Sequence, residues 1–201
     1  MAELALAQVF LVRHAKTDWN RTGRRQGRLD SPLTSEGIAE NHRLAAVVAG
    51  LPVDGVFSSP LGRAAATAGV LARDVNLEVV LIDKLHEIDH GEMSGLTDEE
   101  IERTHPGELA RRYEDLYRWR FPGGESYADA DIRAEAALQE ISDQGARRPL
   151  VVSHEMVGRM VLRNLLQLEP DDALKLRHPH DVIYQVDVAV RRLTEIRPDS
   201  K

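Results

Sequence analysis

Five short apolar runs, rich in β-branched residues and bounded by polar ones, constrain the fold of this chain more than any other feature of its sequence. Each run is hydrophobic almost without interruption, which is typical of strands buried on both faces of a sheet. The runs span residues 9–12, 53–57, 78–82, 150–152 and 182–186. Strands of this kind need a layer of helices on each side, so the pattern predicts an α/β fold with a mostly parallel central sheet.

Helical patterns begin in the intervals between these runs. The first opens with Thr34 as its N-cap and stops at residues 50–52. The residues that we expect on its apolar face are Ile38, Ala45 and Val48. A second helix is predicted to begin at Ser59-Pro60, because a capping serine there precedes a proline.

The second half of the chain predicts two further helices, from 126 to about 141 and from 155 to 168, which complete a three-layer α/β/α sandwich. Between 97 and about 120 the sequence is charged and helical in pattern. We therefore expect a helical cap inserted at about 97–127. The sequence contains no repeat, linker or low-complexity tract, so a single domain over 1–201 is expected.

Charge and composition exclude several kinds of function. A formal net charge of −7 provides no basic field, so we expect neither nucleic-acid nor membrane partners. The chain has no cysteine, which excludes disulfides, thiolate metal sites and a cysteine nucleophile. The first residues lack the basic start of a signal peptide, and no apolar run approaches membrane-spanning length, so the predicted location is the cytoplasm.

Chemically active residues follow four of the predicted strands. In open α/β sheets the ligand lies beyond the carboxyl ends of the strands, so these residues should meet at one edge. They are Arg13, His14, Arg63, Glu87 and His154. Two arginines, two histidines and a glutamate form the composition of a phosphate site with a nucleophile and an acid.

Phosphoryl transfer gives each of these residues a physical role. Arg63 lies in the first turn of its predicted helix, where unpaired N–H groups and the dipole attract an anion, and Arg13 adds a second planar donor. A neutral imidazole at His14 can attack phosphorus while a backbone carbonyl holds its other nitrogen. His154 balances charge on the transferring group, and a protonated Glu87 gives its proton to the leaving alcohol. Water then hydrolyses the phosphohistidine, so we predict no metal and no cofactor.

The motifs around these residues carry a family resemblance. They are Arg13-His14-Ala15-Lys16-Thr17-Asp18-Trp19-Asn20, Gly23-Arg24-Arg25-Gln26-Gly27, Pro32-Leu33-Thr34, Ser58-Ser59-Pro60-Leu61-Gly62-Arg63, Gly123-Gly124-Glu125-Ser126 and Val151-Val152-Ser153-His154. In this order the chain resembles the histidine phosphatase superfamily, also called the phosphoglycerate mutase-like family. The resemblance implies His14 as nucleophile and Glu87 as proton donor. It also implies a phosphate pocket formed by Arg13, Arg63, His154 and Asn20.

Three segments depart from the family's pattern. Ala15-Lys16 stands where the family has Gly-Glu, and Glu155-Met156 stands where it has Gly-Gly. A carboxylate at 155 beside a bound phosphate is unfavourable unless its side chain points away. Many relatives place an Asn before the last sheet strand, whereas residues 178–181 here read His-Pro-His-Asp.

The segment from Glu87 to Gly91 indicates a branch of the family. With Ser94-Gly95 it resembles metal-independent phosphoserine phosphatases, in which a histidine at the place of His90 helps to recognise phosphoserine. The predicted substrate-binding residues are His90, Gln26, Gly27 and Arg24. The partner of a substrate carboxylate is left open among Arg24, Arg25, Arg28, Arg103 and His105.

The predicted function is that of a phosphomonoesterase acting through phospho-His14 on a small-molecule phosphate ester, with phosphoserine favoured and a homodimer left open. One alternative is a phosphoglycerate mutase that needs a bisphosphate primer, and another is a phospho-ligand-binding member without turnover. Residues 86–90 also fit the zinc motif His-Glu-x-x-His, but the glycines that follow disfavour the helix that this motif requires. For His178 and His180 we expect a surface turn rather than a metal site.

Overall fold

The computed structural model of the protein describes residues 4–198. The predicted single domain over 1–201 therefore includes residues 1–3 and 199–201, which lie outside the described residues. No helix within the described range is long and apolar enough to cross a membrane.

In the described part of the chain, a sheet of six strands in the order β3-β2-β4-β1-β5-β6 forms the centre of the fold. The strands are β1 Gln8–Arg13, β2 Gly55–Ser58, β3 Val79–Leu81, β4 Pro149–Ser153, β5 Ile183–Asp187 and β6 Arg192–Ile196. The first four are parallel to one another, while β5 runs antiparallel to β1 and β6 antiparallel to β5. All five predicted strands are confirmed, and the mostly parallel sheet with them. The sequence patterns miss β6, because this edge strand is largely exposed and carries no apolar run.

Helices cover both faces of this sheet. They are α1 Asp18–Arg21, α2 Ser35–Val48, α3 Gly62–Arg73, α4 Asp98–Thr104, α5 Glu108–Glu114, α6 Tyr127–Asp143, α7 Glu155–Leu166 and α8 Pro170–Lys175. Alternate residues of β1 point to opposite layers: Phe10 and Val12 pack in the core under α2 and α3, and Val9 and Leu11 pack in the core under α6 and α7. The predicted three-layer α/β/α sandwich is confirmed.

The predicted apolar face of α2 is wrong at Ile38. Thr34 does cap the helix, since its Oγ1 accepts a hydrogen bond from Gly37 N at 2.9 Å. Ile38, however, is 44% exposed. Asn41 takes an inward position instead, where its side-chain amide donates to Thr67 O at 3.2 Å on α3. The buried face of α2 therefore includes a polar residue that contacts α3, and it differs from the purely apolar face that the sequence pattern predicts.

The predicted start of α3 at Ser59-Pro60 is also wrong. The helix begins at Gly62 with Leu61 as its N-cap, and Leu61 has no side chain that can cap. The hydroxyl of Ser59 is hydrogen-bonded to His154 Nε2 at 2.7 Å. Asp30, from the loop after β1, supplies the cap, because its Oδ2 accepts from Gly62 N at 2.8 Å.

The segment predicted as a cap, about 97–127, contains the short helices α4 and α5. Thr97 opens α4 with a capping box completed by Glu100. Two arginines of the loop after β1 pair with α4: Arg24 with Glu100 at 2.7 Å and Arg25 with Asp98 at 2.8 Å. This loop and the first cap helix are therefore held together beside the carboxyl edge of the sheet.

Candidate active site

A cavity of about 160 Å³ lies at the carboxyl edge of the sheet, between the ends of β1 and β4 and the loop that follows β1. It is lined by Arg13, His14, Asn20, Arg24, Arg25, Gln26, Gly27, Arg63, Glu87, His90, Glu155 and Met156. Nine of the ten predicted site residues are in this set, and the tenth, His154, lies directly behind His14. The structure thus brings together residues that are up to about 140 positions apart in sequence.

His14 is fixed at the end of β1 as a neutral ring. Its Nδ1 lies 2.8 Å from Ala15 O, and a carbonyl can only accept, so Nδ1 carries the proton. Burial, with the charges of Arg63 and Arg13, places the pKa of His14 well below its ordinary value. Its Nε2 has no hydrogen-bond partner among the described residues and is not sealed from solvent. An imidazole in this state offers the Nε2 lone pair to a ligand in the cavity.

His154 follows β4 and packs behind His14, with their ring centroids 5.2 Å apart. Its Nε2 is hydrogen-bonded to Ser59 Oγ at 2.7 Å, which fixes the ring. Burial is the largest cause that lowers the pKa of His154, followed by the charge of Arg63. Within residues 4–198 its Nδ1 has no partner. His154 therefore keeps one buried polar atom without a partner behind His14.

Arg63 and Arg13 are held in place by carbonyl groups and carboxylates. The Arg63 side chain is 1% exposed, and its guanidinium donates to Gly27 O at 2.8 Å and pairs with Asp30 at 2.8 Å. Arg13 donates to His178 O at 3.1 Å and pairs with Glu155 at 3.0 Å. In both arginines the Nε–H is buried and finds no acceptor in the described part of the chain. Both residues line the cavity, so their positive charges favour an anion there.

Glu87 is anchored to the start of α7. Its Oε1 accepts from Ile88 N at 2.9 Å and Val157 N at 3.1 Å, and its Oε2 accepts from Met156 N at 3.2 Å. Met156 and Val157 lie in the first turn of α7, where backbone N–H groups have no partners within the helix. The carboxylate of Glu87 and the helix that follows His154 are consequently one rigid unit.

His90 forms the opposite wall of the cavity. Its ring stacks on Phe121 with centroids 4.4 Å apart, and its Nε2 lies 3.3 Å from Met156 Sδ. Burial lowers the pKa of His90 to about 3, so the ring is neutral. Gly27 faces it with φ of +52°, and a Cβ there would lie 3.0 Å from His90 N. Only glycine leaves room for this close approach.

The remaining predicted residues are partly engaged elsewhere. Asn20 Oδ1 accepts from Thr17 N at 3.1 Å in the cap of α1, which leaves its Nδ2 group as the donor that it can offer the cavity. Gln26 is buried, and its Oε1 accepts from Ser31 Oγ at 3.2 Å. Arg24 forms a two-point ion pair with Glu100. Its charge is thus already balanced, which weakens its candidacy as the partner of a substrate carboxylate.

Glu155 does not point away from the site. It lies at the mouth of the cavity and bridges Arg13 at 3.0 Å and Arg159 at 2.9 Å. Because it balances two arginines, the carboxylate is compatible with an anion site in this position.

The surface turn predicted for His178 is wrong. Its side chain is 1% exposed, and its Nδ1 lies 3.2 Å from His154 O. Gly158 creates the space for the ring, since a Cβ there would lie 2.6 Å from His178 Cε1. His180, two residues on, donates from Nδ1 to His14 O at 2.6 Å. Both histidines support the segment that carries Arg13 and His14.

The zinc interpretation of residues 86–90 fails on geometry. These residues follow a short 3₁₀ turn, Asp83–Leu85, and are not helical, so His86 and His90 do not share a helix face. Over residues 4–198 no cluster of three or more histidines and carboxylates is arranged to hold a metal ion.

Comparison with known proteins agrees with this geometry. A sequence profile of the histidine phosphatase superfamily (branch 1) matches residues 9–196. The chain is 36% identical over 165 residues to phosphoserine phosphatase 1 of Hydrogenobacter thermophilus, across 82% of this chain and 78% of that protein. It is also 36% identical over 192 residues to a Yersinia enterocolitica protein named "Probable phosphoglycerate mutase GpmB", across 90% and 85% of the two chains. The solved structure of mycobacterial glucosyl-3-phosphoglycerate phosphatase with VO3 superposes with a TM-score of 0.84 at 27% identity, covering 96% of this chain and all of that one.

Proposed function

Because the chain belongs to the histidine phosphatase superfamily, we propose that it hydrolyses small phosphate esters by transferring the phosphoryl group to Nε2 of His14. The observation that carries this proposal is the bond from His14 Nδ1 to Ala15 O, which leaves the Nε2 lone pair free in a cavity that contains two arginines. A neutral, oriented imidazole is a nucleophile, whereas a protonated one is not.

In the first step the Nε2 lone pair forms a bond to phosphorus while the bond from phosphorus to the ester oxygen breaks. Arg13 and Arg63, which line the cavity, bind the phosphoryl oxygens and balance the charge that they carry. His154, behind His14, adds a further polar contact for the transferring group.

Glu87 provides the proton for the leaving alcohol. Glu87 lines the cavity in which the phosphate binds and acts there as the acid. The proton passes to the ester oxygen as that bond breaks. In the second step water attacks the phosphohistidine, gives its proton to Glu87, and releases inorganic phosphate, which restores His14.

We further propose that the reaction is independent of metal ions and that phosphoserine is among the substrates. The first proposal is supported by a site whose cationic groups are arginines and by the failure of the zinc interpretation. The second is supported by the buried, neutral His90 in the cavity wall and by the phosphoserine phosphatase relative. The mutase relative makes isomerisation of phosphoglycerate in the presence of a bisphosphate primer the second candidate activity.

The test compares wild type with His14→Ala and with His42→Ala, a control at an exposed histidine on α2. Hydrolysis of p-nitrophenyl phosphate and an alkali-stable phosphoprotein after a rapid quench are expected in wild type and in the control. His14→Ala should lose both, and a chelator should change neither. Full activity in His14→Ala would overturn the proposal. Phosphate-analogue binding without any phosphoprotein in wild type would favour a binding protein, and isomerisation faster than phosphate release would favour a mutase.

A further inference from the structure

Glu155 provides a carboxylate at the boundary between two cavities. One is the cavity of about 160 Å³ that contains His14, and the other is an outer cavity of about 470 Å³ beside it. Glu155 lines both, and 36% of its side chain is exposed. A substrate whose phosphate lies at His14 and whose alcohol extends into the outer cavity therefore passes this carboxylate.

Two arginines fix the orientation of the Glu155 carboxylate. Its Oε2 lies 3.0 Å from Arg13 Nη1, and its Oε1 lies 2.9 Å from Arg159 Nη2. Arg159 is itself held, because it donates to Tyr127 Oη and to Leu176 O, both at 2.8 Å. The carboxylate is therefore in place before a ligand binds, which lowers the entropy that binding costs.

The arginines and the lysine that line the two cavities already have carboxylate partners. The pairs are Arg13 with Glu155, Lys16 with Glu36, Arg24 with Glu100, Arg25 with Asp98 and Arg63 with Asp30. His180 also lines the outer cavity, but burial lowers its pKa to about 4, so the ring is neutral. A phosphate dianion held at Arg13 and Arg63 therefore leaves a surplus of negative charge at the mouth of the site.

A positive charge on the substrate would remove this surplus. When a phosphate binds Arg13, that arginine is shared between two anions, so Glu155 can accept a further cation. An ammonium group has three donors and forms short, charge-assisted hydrogen bonds with a carboxylate. Trp19, in the wall of the outer cavity, adds an aromatic ring of the kind that attracts such a group. Because only the Arg13 guanidinium separates Glu155 from the bound phosphate, a short carbon chain can connect the two charges.

We propose that Glu155 binds an ammonium group of the substrate, so that the enzyme prefers phosphate esters of amino alcohols, of which phosphoserine is one. This inference rests on the proposed function and specifies its substrate class. Glu155 stands where the family's pattern has glycine, so the phosphoryl transfer that the family shares does not need it. Its role is to select the alcohol.

The test uses O-phosphoethanolamine and 2-hydroxyethyl phosphate, which have nearly equal shape and differ by an ammonium group in place of a hydroxyl group. Wild type should have the higher kcat/KM for O-phosphoethanolamine. In Glu155→Gln the ratio of the two kcat/KM values should fall about ten- to a hundredfold, because a charge-assisted hydrogen bond is lost. The ratio is the readout, since removing a negative charge beside Arg13 changes phosphate binding for both esters alike.

Two further variants separate recognition of the ammonium group from a general effect of substitution. Glu155→Asp keeps the charge and should retain part of the preference. Glu99→Gln, at an exposed position of α4, should leave the ratio within about threefold of wild type. Wild type that hydrolyses p-nitrophenyl phosphate without preferring the ammonium ester, or an unchanged ratio in Glu155→Gln, would overturn the inference. Wild type that hydrolyses neither ester nor p-nitrophenyl phosphate, and forms no phosphoprotein, would instead overturn the proposed function.

Discussion

Replacing Gly158 with alanine tests whether the support beneath the site is as tightly packed as the structure indicates. Gly158 lies in α7, and a methyl carbon there would lie 2.6 Å from His178 Cε1 and closer still to Nδ1. The ring cannot easily retreat, because it is 1% exposed and stacks on Tyr184 with centroids 5.4 Å apart. Its contact with His154 O must lengthen if it moves.

Opposing effects decide whether this substitution raises or lowers the free energy of unfolding. Alanine is favoured over glycine within a helix by about 1 kcal/mol. Overpacking a well-filled core costs about 1–3 kcal/mol, and loss of a buried hydrogen bond costs about 1 kcal/mol more. The net expectation is a loss of about 1–3 kcal/mol in the free energy of unfolding. Activity should fall as well, since His178 O holds Arg13.

Urea unfolding provides the measurement, and Gly69→Ala provides the matched control. Gly69 also lies within a helix, α3, but a Cβ there has no neighbour within 4 Å. That variant should be more stable than wild type by about 0.5–1 kcal/mol. A Gly158→Ala protein that is equally stabilised would refute the packing argument, because helix propensity alone would then account for both positions.

Three other outcomes are expected. Stability should decrease as the pH falls from about 6.5 towards 4, because burial lowers the pKa of His90 and His178 to about 3 and that of His180 to about 4. The unfolded chain then binds protons that the folded chain does not, which lowers the free energy of unfolding by about 1.4 kcal/mol per pH unit for each such histidine. Urea unfolding at pH 7.5, 6 and 5 measures this effect. A free energy of unfolding that stays constant over this range would contradict it. Glu155→Gln should strengthen inhibition by orthovanadate about three- to tenfold, since a negative charge 3.0 Å from Arg13 is removed. Glu99→Gln, at an exposed position of α4, is the control. Equal inhibition constants in wild type and both variants would argue against this prediction. Glu87→Gln should slow hydrolysis of alkyl phosphates about a hundredfold or more while affecting p-nitrophenyl phosphate far less, because only the poor leaving group needs the proton; equal losses on the two substrates would remove Glu87 as the acid.

The sequence predicted those parts of the structure that depend on local patterns. Continuous apolar runs identify buried strands such as β1 and β4, and their ends identify His14 and His154. The edge strand β6 has no such run, so its pairing with β5 could not be foreseen. The composition of β1 and β4 is therefore enough to predict them as strands, whereas β6 depends on its pairing with the neighbouring strand β5.

Contacts between distant segments explain the errors and omissions at the site. Asp30 caps a helix that begins 32 residues later, and no local motif announces that role. The buried ring of His178 occupies space that a side chain at Gly158 would fill. The sequence shows that Glu155 departs from the family's pattern, but it does not indicate that two arginines, Arg13 and Arg159, pair with this carboxylate. The homodimer, the cytoplasmic location and the lack of nucleic-acid partners stay predictions.

The bonds from Arg63 to the loop after β1 have a consequence for protein engineering. Arg63 is held by Leu29 O at 2.7 Å, by Gly27 O and by Asp30. A loop transplanted from a relative to change substrate range would therefore displace an arginine of the phosphate site as well. Chimeric proteins should therefore leave residues 27–30 unchanged and exchange only the part of the loop that precedes them.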